Sequence, residues 1–259
     1  MIANPMSLEG RTVVVTGAAQ GAGQGVAKLC LELGANVVVI DVKRDELMAF
    51  AATAGKERCL ALVVDQSNAQ AVDEMVVRAV EKFGAIHGLV NNAAIVKPST
   101  IEKMTMEQWH QVIDVDLTGV YYCLRAVGLH MVGRAKKGEK RPGSIVSIMS
   151  DGGRVGIFGQ ANYAAAKTGL LGLTMSAARE WAKYELRVNT ISFGLVATPM
   201  TEYVRTHPEH SARIKASIPF GRYTSPEEVA KPICFMLSDA ASYITGQNLS
   251  VNGGTVMAI

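Results

Sequence analysis

The chain lacks what a membrane span, a disulfide framework or a nucleic-acid surface would need. No run reaches the roughly 18 uninterrupted apolar residues of a bilayer helix. Met1 to Leu8 has neither the basic start nor the apolar stretch of a secretory leader, so a soluble, cytoplasmic protein without membrane contact is expected. Four cysteines, Cys30, Cys59, Cys123 and Cys234, are scattered over 259 residues without metal-ligand spacing. Buried, reduced thiols follow, with no disulfide and no metal site. Lysine and arginine number 26 against 23 aspartates and glutamates, a net charge of +3, too slight for a nucleic-acid partner. The one basic run, Arg134 to Arg141, is interrupted by Gly138 and Glu139 and reads as a solvated loop. No internal repeat or low-complexity tract is present.

What is present is apolar material in alternating periods. Hydrophobic residues make up 49% of the chain, enough for one large α/β domain over residues 1–259. Thr12 to Thr16 is a β-branched run. It leads into Gly17-Ala-Ala-Gln-Gly21-Ala-Gly23 and then an apolar helical pattern through Leu33. Strand, glycine turn and helix together form the setting of a phosphate-binding loop: glycines admit a pyrophosphate to the backbone, and the helix start offers unpaired N–H groups. The next run, Asn36 to Ile40, ends in Asp41, about twenty residues beyond the loop, where a dinucleotide fold places the carboxylate that accepts from the adenosine ribose. Strands at Cys59 to Val64, Gly88 to Val90, Ser144 to Met149, Arg187 to Ile191 and Asn248 to Val251 alternate with helical stretches. Those stretches are Asp45 to Ala54, Ala69 to Phe83, Met106 to about Met131, Gln160 to Glu185, a polar excursion near Thr201 to Ser217, and Pro226 to Leu237. The alternation predicts a doubly wound parallel sheet with helices on both faces, a Rossmann-like single domain whose ligands bind at the carboxyl ends of the strands. Asp65 and Asn91 fall at such ends, although both residue types also form ordinary turns.

Ser150, Tyr163 and Lys167 carry the chemistry. On a helix, Tyr163 and Lys167 share a face at i and i+4, and a neighbouring ammonium favours the phenolate, bringing a proton that normally leaves near pH 10 closer to exchange at neutral pH. Tyr163 is thereby a candidate general acid/base. Ser150 ends the buried run Gly143 to Ser150 before the glycine-rich Asp151-Gly-Gly153. Taken alone, the Tyr/Lys spacing describes any two side chains on one helix. A carboxylate at Asp41 would also repel the extra phosphate of NADP, so NAD is the expected cofactor.

With Thr16-Gly17-x-x-x-Gly21-x-Gly23, Asp65, Asn91-Asn92-Ala93, Ser150, Tyr163-x-x-x-Lys167, Arg187-Val188-Asn189, Pro226-Glu-Glu-Val-Ala230 and Val251-Asn-Gly-Gly254 in this order, nearly the whole chain resembles the short-chain dehydrogenases/reductases. The resemblance implies hydride transfer between a nicotinamide cofactor and a secondary alcohol or ketone. In it Ser150 holds the substrate oxygen, Tyr163 exchanges its proton, and Lys167 lowers the pKa of the phenol and holds the nicotinamide ribose. Thr16, Gly17, Gly21 and Gly23 would hold the phosphates, Asp41 the adenosine ribose and Asp65 the adenine. Asn91 would meet the cofactor-side ribose and Thr198 the nicotinamide amide, with Gln20, Ala93 and Val196 also among the cofactor-binding residues. The family's NADP users often place a basic residue at one of two positions that here hold Gln20 and Val42, although Lys43 and Arg44 follow closely. A homotetramer built on the two long helices and the segment around Gly246 to Val256 is also implied.

Three positions depart from the family pattern. Asp116 replaces the asparagine of a proton relay to the lysine, Phe193 replaces a proline before Gly194, and Ala22 stands where isoleucine is common. Asp116 would hold the relay water or merely stabilise a helix bend. The substrate loop, about 195–219, includes His207 and His210, both expected to be exposed. A small-molecule alcohol or ketone is the expected substrate. A 3-oxoacyl carrier-protein reductase, aided by the basic loop, and a non-catalytic NAD-binding regulator are the alternatives.

Overall fold

The computed structural model describes residues 4–257, apart from the side chain of His210. The rest of the expected 1–259 domain, including Met1 to Ala3 of the leader reading, lies outside the described residues. Thr12–Thr16 forms β1, followed by α1 (Gly21–Glu32), β2 (Asn36–Asp41), α2 (Arg44–Ala54), β3 (Cys59–Val63), α3 (Ala69–Phe83) and β4 (Gly88–Asn91). Two helices, α4 (Met106–Ile113) and α5 (Val120–Lys136), then precede β5 (Ser144–Ser150), the short α6 (Gly152–Val155) and α7 (Ala161–Trp181). Strand β6 (Arg187–Phe193), helices α8 (Glu202–Thr206), α9 (Pro208–Ser217) and α10 (Pro226–Leu237), and strand β7 (Asn248–Val251) complete the chain. Local chemistry sets several starts: Thr105 with Gln108, and Ser225 with Glu228, form capping boxes, and Asn68 accepts from the Ala71 N–H ahead of α3.

The strands make one sheet in the order β3-β2-β1-β4-β5-β6-β7, with every pairing parallel. Its middle is covered on both sides, which is why β1 and β2 are continuously apolar rather than alternating. Val13, Val15, Val37 and Val39 pack toward α1 and α10, and Val14, Val38, Ile40 and Leu89 toward the α3 and α5 side. After β3 the chain returns to lay β4 beside β1, so their carboxyl ends part into a crevice, the place where such sheets bind ligands. Arg187, 8% exposed, fastens the opposite edge of this layer. Its guanidinium donates to the carbonyls of Met236, Leu237 and Ser238 at the end of α10, and burial lowers its pKa to about 10.

Several local expectations need correction. The stretch Met106 to Met131 is not one regular helix: a π turn, Asp114–Gly119, separates α4 from α5 while the backbone stays helical through both junctions. The second long helix ends at Trp181 and tightens into a 3₁₀ turn, Ala182–Tyr184. The glycine-rich segment after Ser150 contains a helical turn, and the start of the basic run belongs to α5, where Arg134 donates to the Ile86 carbonyl and pairs with Glu139. His207 is half-buried. All four cysteines are buried and free. No helix among the described residues is long and apolar enough to cross a membrane.

Candidate active site

A cleft of about 790 Å³ opens at the carboxyl ends of the strands. Of the residues singled out in the sequence it brings together Thr16, Gly17, Gln20, Gly21, Asp41, Asp65, Ala93, Ser150, Tyr163, Val196 and Thr198. Gly17 has φ +65°, and a Cβ there would stand 2.7 Å from the Cα of Ala93, so the loop can cross the end of β4 only as glycine. Gly23 is buried beneath the loop rather than in the cleft, and a Cβ on it would meet the Gly17 carbonyl at 2.3 Å. It allows helix and turn to close on each other. Thr16 Oγ1 accepts from the N–H groups of Asn92 (3.1 Å) and Ala93 (2.9 Å), while Asn92 Nδ2 donates to the carbonyls of Thr16 and Gly17. The loop is thus locked to β4, and α1 begins with no acidic residue in its first turn and no side-chain cap on its N–H groups. A glycine cradle before an uncapped helix start fits the pyrophosphate of a dinucleotide.

At the end of β2, Asp41 Oδ2 accepts from Ala19 N and Oδ1 from Lys43 N, both at 3.0 Å. Each carboxylate oxygen retains a second lone pair for a ribose hydroxyl. Lys43 Nζ donates to Gln20 Oε1 at 3.1 Å, spanning the cleft edge beside Val42, which is 62% exposed. Asp65 lines the cleft with one oxygen already accepting from Ser67 N and Oγ. Asn91 does not reach it: paired in register with Ser147, it buries its amide and donates to Ser147 Oγ at 3.1 Å, leaving Asn92, Ala93 and Ala94 as the lining.

At the other end, β5 delivers Ser150 and α7 delivers Tyr163. Ser150 Oγ accepts from Gly152 N at 3.1 Å, which aims the hydroxyl from the turn after the strand. Lys167 and Asp116 lie behind the lining. Lys167 is 2% exposed, donates from Nζ to the Ile148 carbonyl (3.1 Å) and sits 5.5 Å from the centre of the Tyr163 ring. Asp116 is fully buried in the π turn, with Oδ1 accepting from Ile95 N (2.9 Å) and Oδ2 3.7 Å from Lys167 Nζ. That separation is an ion pair without a hydrogen bond. Burial pushes the Asp116 carboxyl up to about 6, opposed by the Lys167 ammonium and the Ile95 N–H. A π turn widens one helical turn and often marks a functional site; here it carries the acid facing the buried lysine.

Three positioning residues escaped the sequence reading. Asn162, fully buried, donates to the carbonyls of Lys97 and Gln108 and accepts from Tyr163 N, fixing the start of α7. Gln66 donates to the carbonyls of Ala93 and Val115, tying the cleft wall to the π turn. Asp151 lines the cleft beside Ser150, 7% exposed. Only adjacency to Tyr163, Asp65 and Ser150 signals these residues in the sequence. Phe193, where the family has proline, extends β6 by pairing with Ser150 and Val251, and Ala22 packs against the core.

Comparison with known proteins places this geometry. A family model described as Enoyl-(Acyl carrier protein) reductase matches residues 17–256. The chain is 38% identical over 257 residues to a 3-oxoacyl-[acyl-carrier-protein] reductase of Thermotoga maritima, covering 97% of this chain and 100% of the relative. It is 35% identical over 249 residues to an acetoacetyl-CoA reductase of Synechocystis, covering 96% and 97%. Among solved structures, a short-chain dehydrogenase/reductase of Brucella melitensis titled glucose/ribitol dehydrogenase superposes with a TM-score of 0.89 at 35% identity over 96% of this chain and 98% of that one. A gluconate 5-dehydrogenase of Beutenbergia cavernae described as putative and NAD(P) dependent, with NADP bound at low occupancy, gives 0.90 at 34% over 97% and 99%. Cradle, buried lysine and full-length likeness agree: the chain belongs to the short-chain dehydrogenase/reductase family, nicotinamide-dependent oxidoreductases of CH–OH and ketone groups.

Proposed function

We propose that the chain interconverts a small secondary alcohol and its ketone in the cytoplasm, with NAD preferred over NADP. The observation that carries this reading is Lys167: a cation kept almost wholly from solvent and 5.5 Å from the Tyr163 ring is held behind the cleft wall by the Ile148 carbonyl and faced by Asp116. With Lys167 behind it, the Tyr163 side chain gives a proton to the carbonyl oxygen in reduction and takes one from the alcohol in oxidation. Ser150 donates to the same oxygen and holds it against Tyr163. The bound nicotinamide gives or takes the hydride. Thr16, Gly17, Gln20, Gly21, Ala93, Val196 and Thr198 surround the cofactor, with Gly23 closing the loop from below. Asp116 holds the proton path behind Lys167.

Preference for NAD rests on Asp41, whose carboxylate suits ribose hydroxyls and repels a phosphate. Lys43 opposes it from the same edge of the cleft, but its ammonium is engaged by Gln20. The names of the acyl-carrier relatives favour a 3-oxoacyl thioester as a second substrate class. The basic loop does not strengthen that reading: residues 137–143 precede β5 and so lie at the amino ends of the strands, away from the cleft. Tyr121, Leu129 and Met175 leave apolar surface on α5 and α7, between 45% and 50% exposed, which supports pairing through these helices into a homotetramer.

A panel of ketones, alcohols and a 3-oxoacyl thioester, followed by absorbance of the reduced nicotinamide with NAD(H) and NADP(H) in parallel, tests the proposal. Turnover of simple ketones with higher kcat/KM for NADH is expected. Turnover of the thioester alone, or a preference for NADPH, would overturn it.

A further inference from the structure

The cleft carries wetted apolar surface next to the hydroxyl of Ser150. Two glycines in the left-handed region, Gly156 (φ +75°) and Gly159 (φ +73°), bracket Ile157 and Phe158 between α6 and α7 and turn the chain back toward the end of β5. Hydrogen bonds from Ser99 N to the Gly159 carbonyl (2.7 Å) and from Gln160 N to the Ile157 carbonyl (3.1 Å) hold that turn. Ile157 then folds over Gly152: a Cβ there would stand 2.2 Å from Ile157 Cδ1 and 3.4 Å from Ser150 Oγ, so the isoleucine methyl and the hydroxyl border one small space. Val155, Ile157 and Met200 line the cleft and stay between 40% and 66% exposed, with Val204, Ile214 and the buried Ile218 completing the lining there. The polar side chains among them are spent within the chain. Thr201, Ser217 and Thr255 give their hydroxyl protons to the carbonyls of Val196, Ile214 and Asn252, and both Asp151 oxygens are buried, which leaves Gln160 apart from Ser150 and Tyr163. Lys43 is the one basic side chain among the described residues of the lining, and it stands at the adenosine end beside Gln20.

We propose that Ile157 is a specificity determinant and that the substrate is a ketone, or its alcohol, bearing an uncharged aliphatic chain that passes Ile157 on leaving the carbonyl and continues along Val155, Met200 and Val204. This deepens the alcohol/ketone reading above and rests on it. The place of Ile157 follows from its methyl sharing the space beside Ser150 Oγ, and the exposed Val155 and Met200 then meet the carbons further out. A chain laid on this surface releases the water that now covers it, which is worth about twofold to fourfold in binding for each methylene that the open cleft buries in part. A polyol would bring hydroxyls that find few partners, and a sugar acid would bring a carboxylate to a wall without a cation, so both are disfavoured.

The test is a series of 2-alkanones from 2-butanone to 2-octanone, with a ketohexose as polar counterpart, each with the reduced cofactor. In wild type kcat/KM should climb by about twofold to fourfold per added methylene, so that 2-octanone exceeds 2-butanone by roughly 15- to 250-fold, and the ketohexose should stay below 2-butanone. Ile157→Ser should lower the value for 2-octanone about fivefold more than that for 2-butanone, mainly through KM, whereas Ile157→Leu should keep the wild-type ratio. Cofactor binding, read by fluorescence of the reduced nicotinamide, shows that each variant is folded. A wild-type ratio of 2-octanone to 2-butanone below about threefold, short of a single methylene's worth, overturns the inference without recourse to any variant, and so does a ketohexose reduced at least as well as 2-octanone. A ratio unchanged by Ile157→Ser in a protein with normal cofactor affinity overturns it as well. Reduction of a 3-oxoacyl thioester with no turnover of any alkanone or of the ketohexose removes the alcohol/ketone reading itself, whereas alkanones reduced without regard to length remove only this inference.

Discussion

Replacing Asp116 by asparagine removes a buried charge at nearly constant shape, since the amide oxygen can still accept from the Ile95 N–H that Oδ1 takes now. The carboxyl stands at about 6 in the folded chain and near 3.9 once unfolded. Between these values the folded chain keeps a proton that the unfolded chain has released. Stability therefore falls as pH rises through that window: the loss is absent below about pH 4 and complete above about pH 6. About two pH units at 1.36 kcal/mol each come to roughly 3 kcal/mol. Protonated aspartate and asparagine are both neutral, so the variant should exceed wild type by about 1 kcal/mol at pH 4.5 and about 3 kcal/mol at pH 7.5. For a chain of this size the latter corresponds to roughly 6 to 12 °C in Tm. Urea unfolding followed by tryptophan fluorescence at the two pH values reads the difference directly. An advantage that does not change with pH would refute the buried carboxylate as a titrating group, and a less stable variant at pH 7.5 would mean that the pairing with Lys167 outweighs desolvation.

Tyr163→Phe should lower turnover by roughly 100-fold or more with cofactor affinity nearly intact; near-normal turnover would remove Tyr163 as the acid/base. Wild type should prefer NAD by about thirtyfold to several hundredfold, the equivalent of roughly 2 to 4 kcal/mol from two ribose hydrogen bonds and a like-charge contact. Asp41→Ala with Val42→Arg should shrink or reverse that ratio, and a wild-type preference for NADP would assign the edge to Lys43. Arg187→Met, which takes the guanidinium from the carbonyls of Met236, Leu237 and Ser238 while Ser144 Oγ still serves the first and Ala241 N the last, should destabilise the chain by roughly 2 kcal/mol in urea unfolding. Light scattering at micromolar concentration should report a tetramer, and a monomer would contradict pairing through α5 and α7.

The sheet was legible because its signals are local. A β-branched strand, a glycine turn and an apolar helix follow one another within residues 12–33, and Asp41 ends the next strand. Tyr163 and Lys167 were legible for the same reason, since one helical turn fixes their common face. What escaped depends on pairing between distant segments. Asn91 and Asn92 are equivalent as letters, and only the register of β4 on β5, Asn91 beside Ser147, sends the first into the sheet and leaves the second at the glycine loop. Hydrophobic period cannot reveal a π turn either, because one extra residue in a helix shifts the faces without breaking the pattern. Yet that turn is what brings Asp116 beside Lys167.

Asp151 is the sharpest instance of this limit. Next to Ser150 and before two glycines, it reads as a turn residue or a helix cap, and nothing nearby contradicts that. Its real condition is decided far along the chain, where Ser250 takes the Arg154 guanidinium and the turn at Val256 takes the Asn252 amide. Asn252 comes to face its carboxylate only once β7 has joined the sheet edge. A residue whose chemistry is set by what its neighbours are doing elsewhere becomes readable only once the fold has placed them.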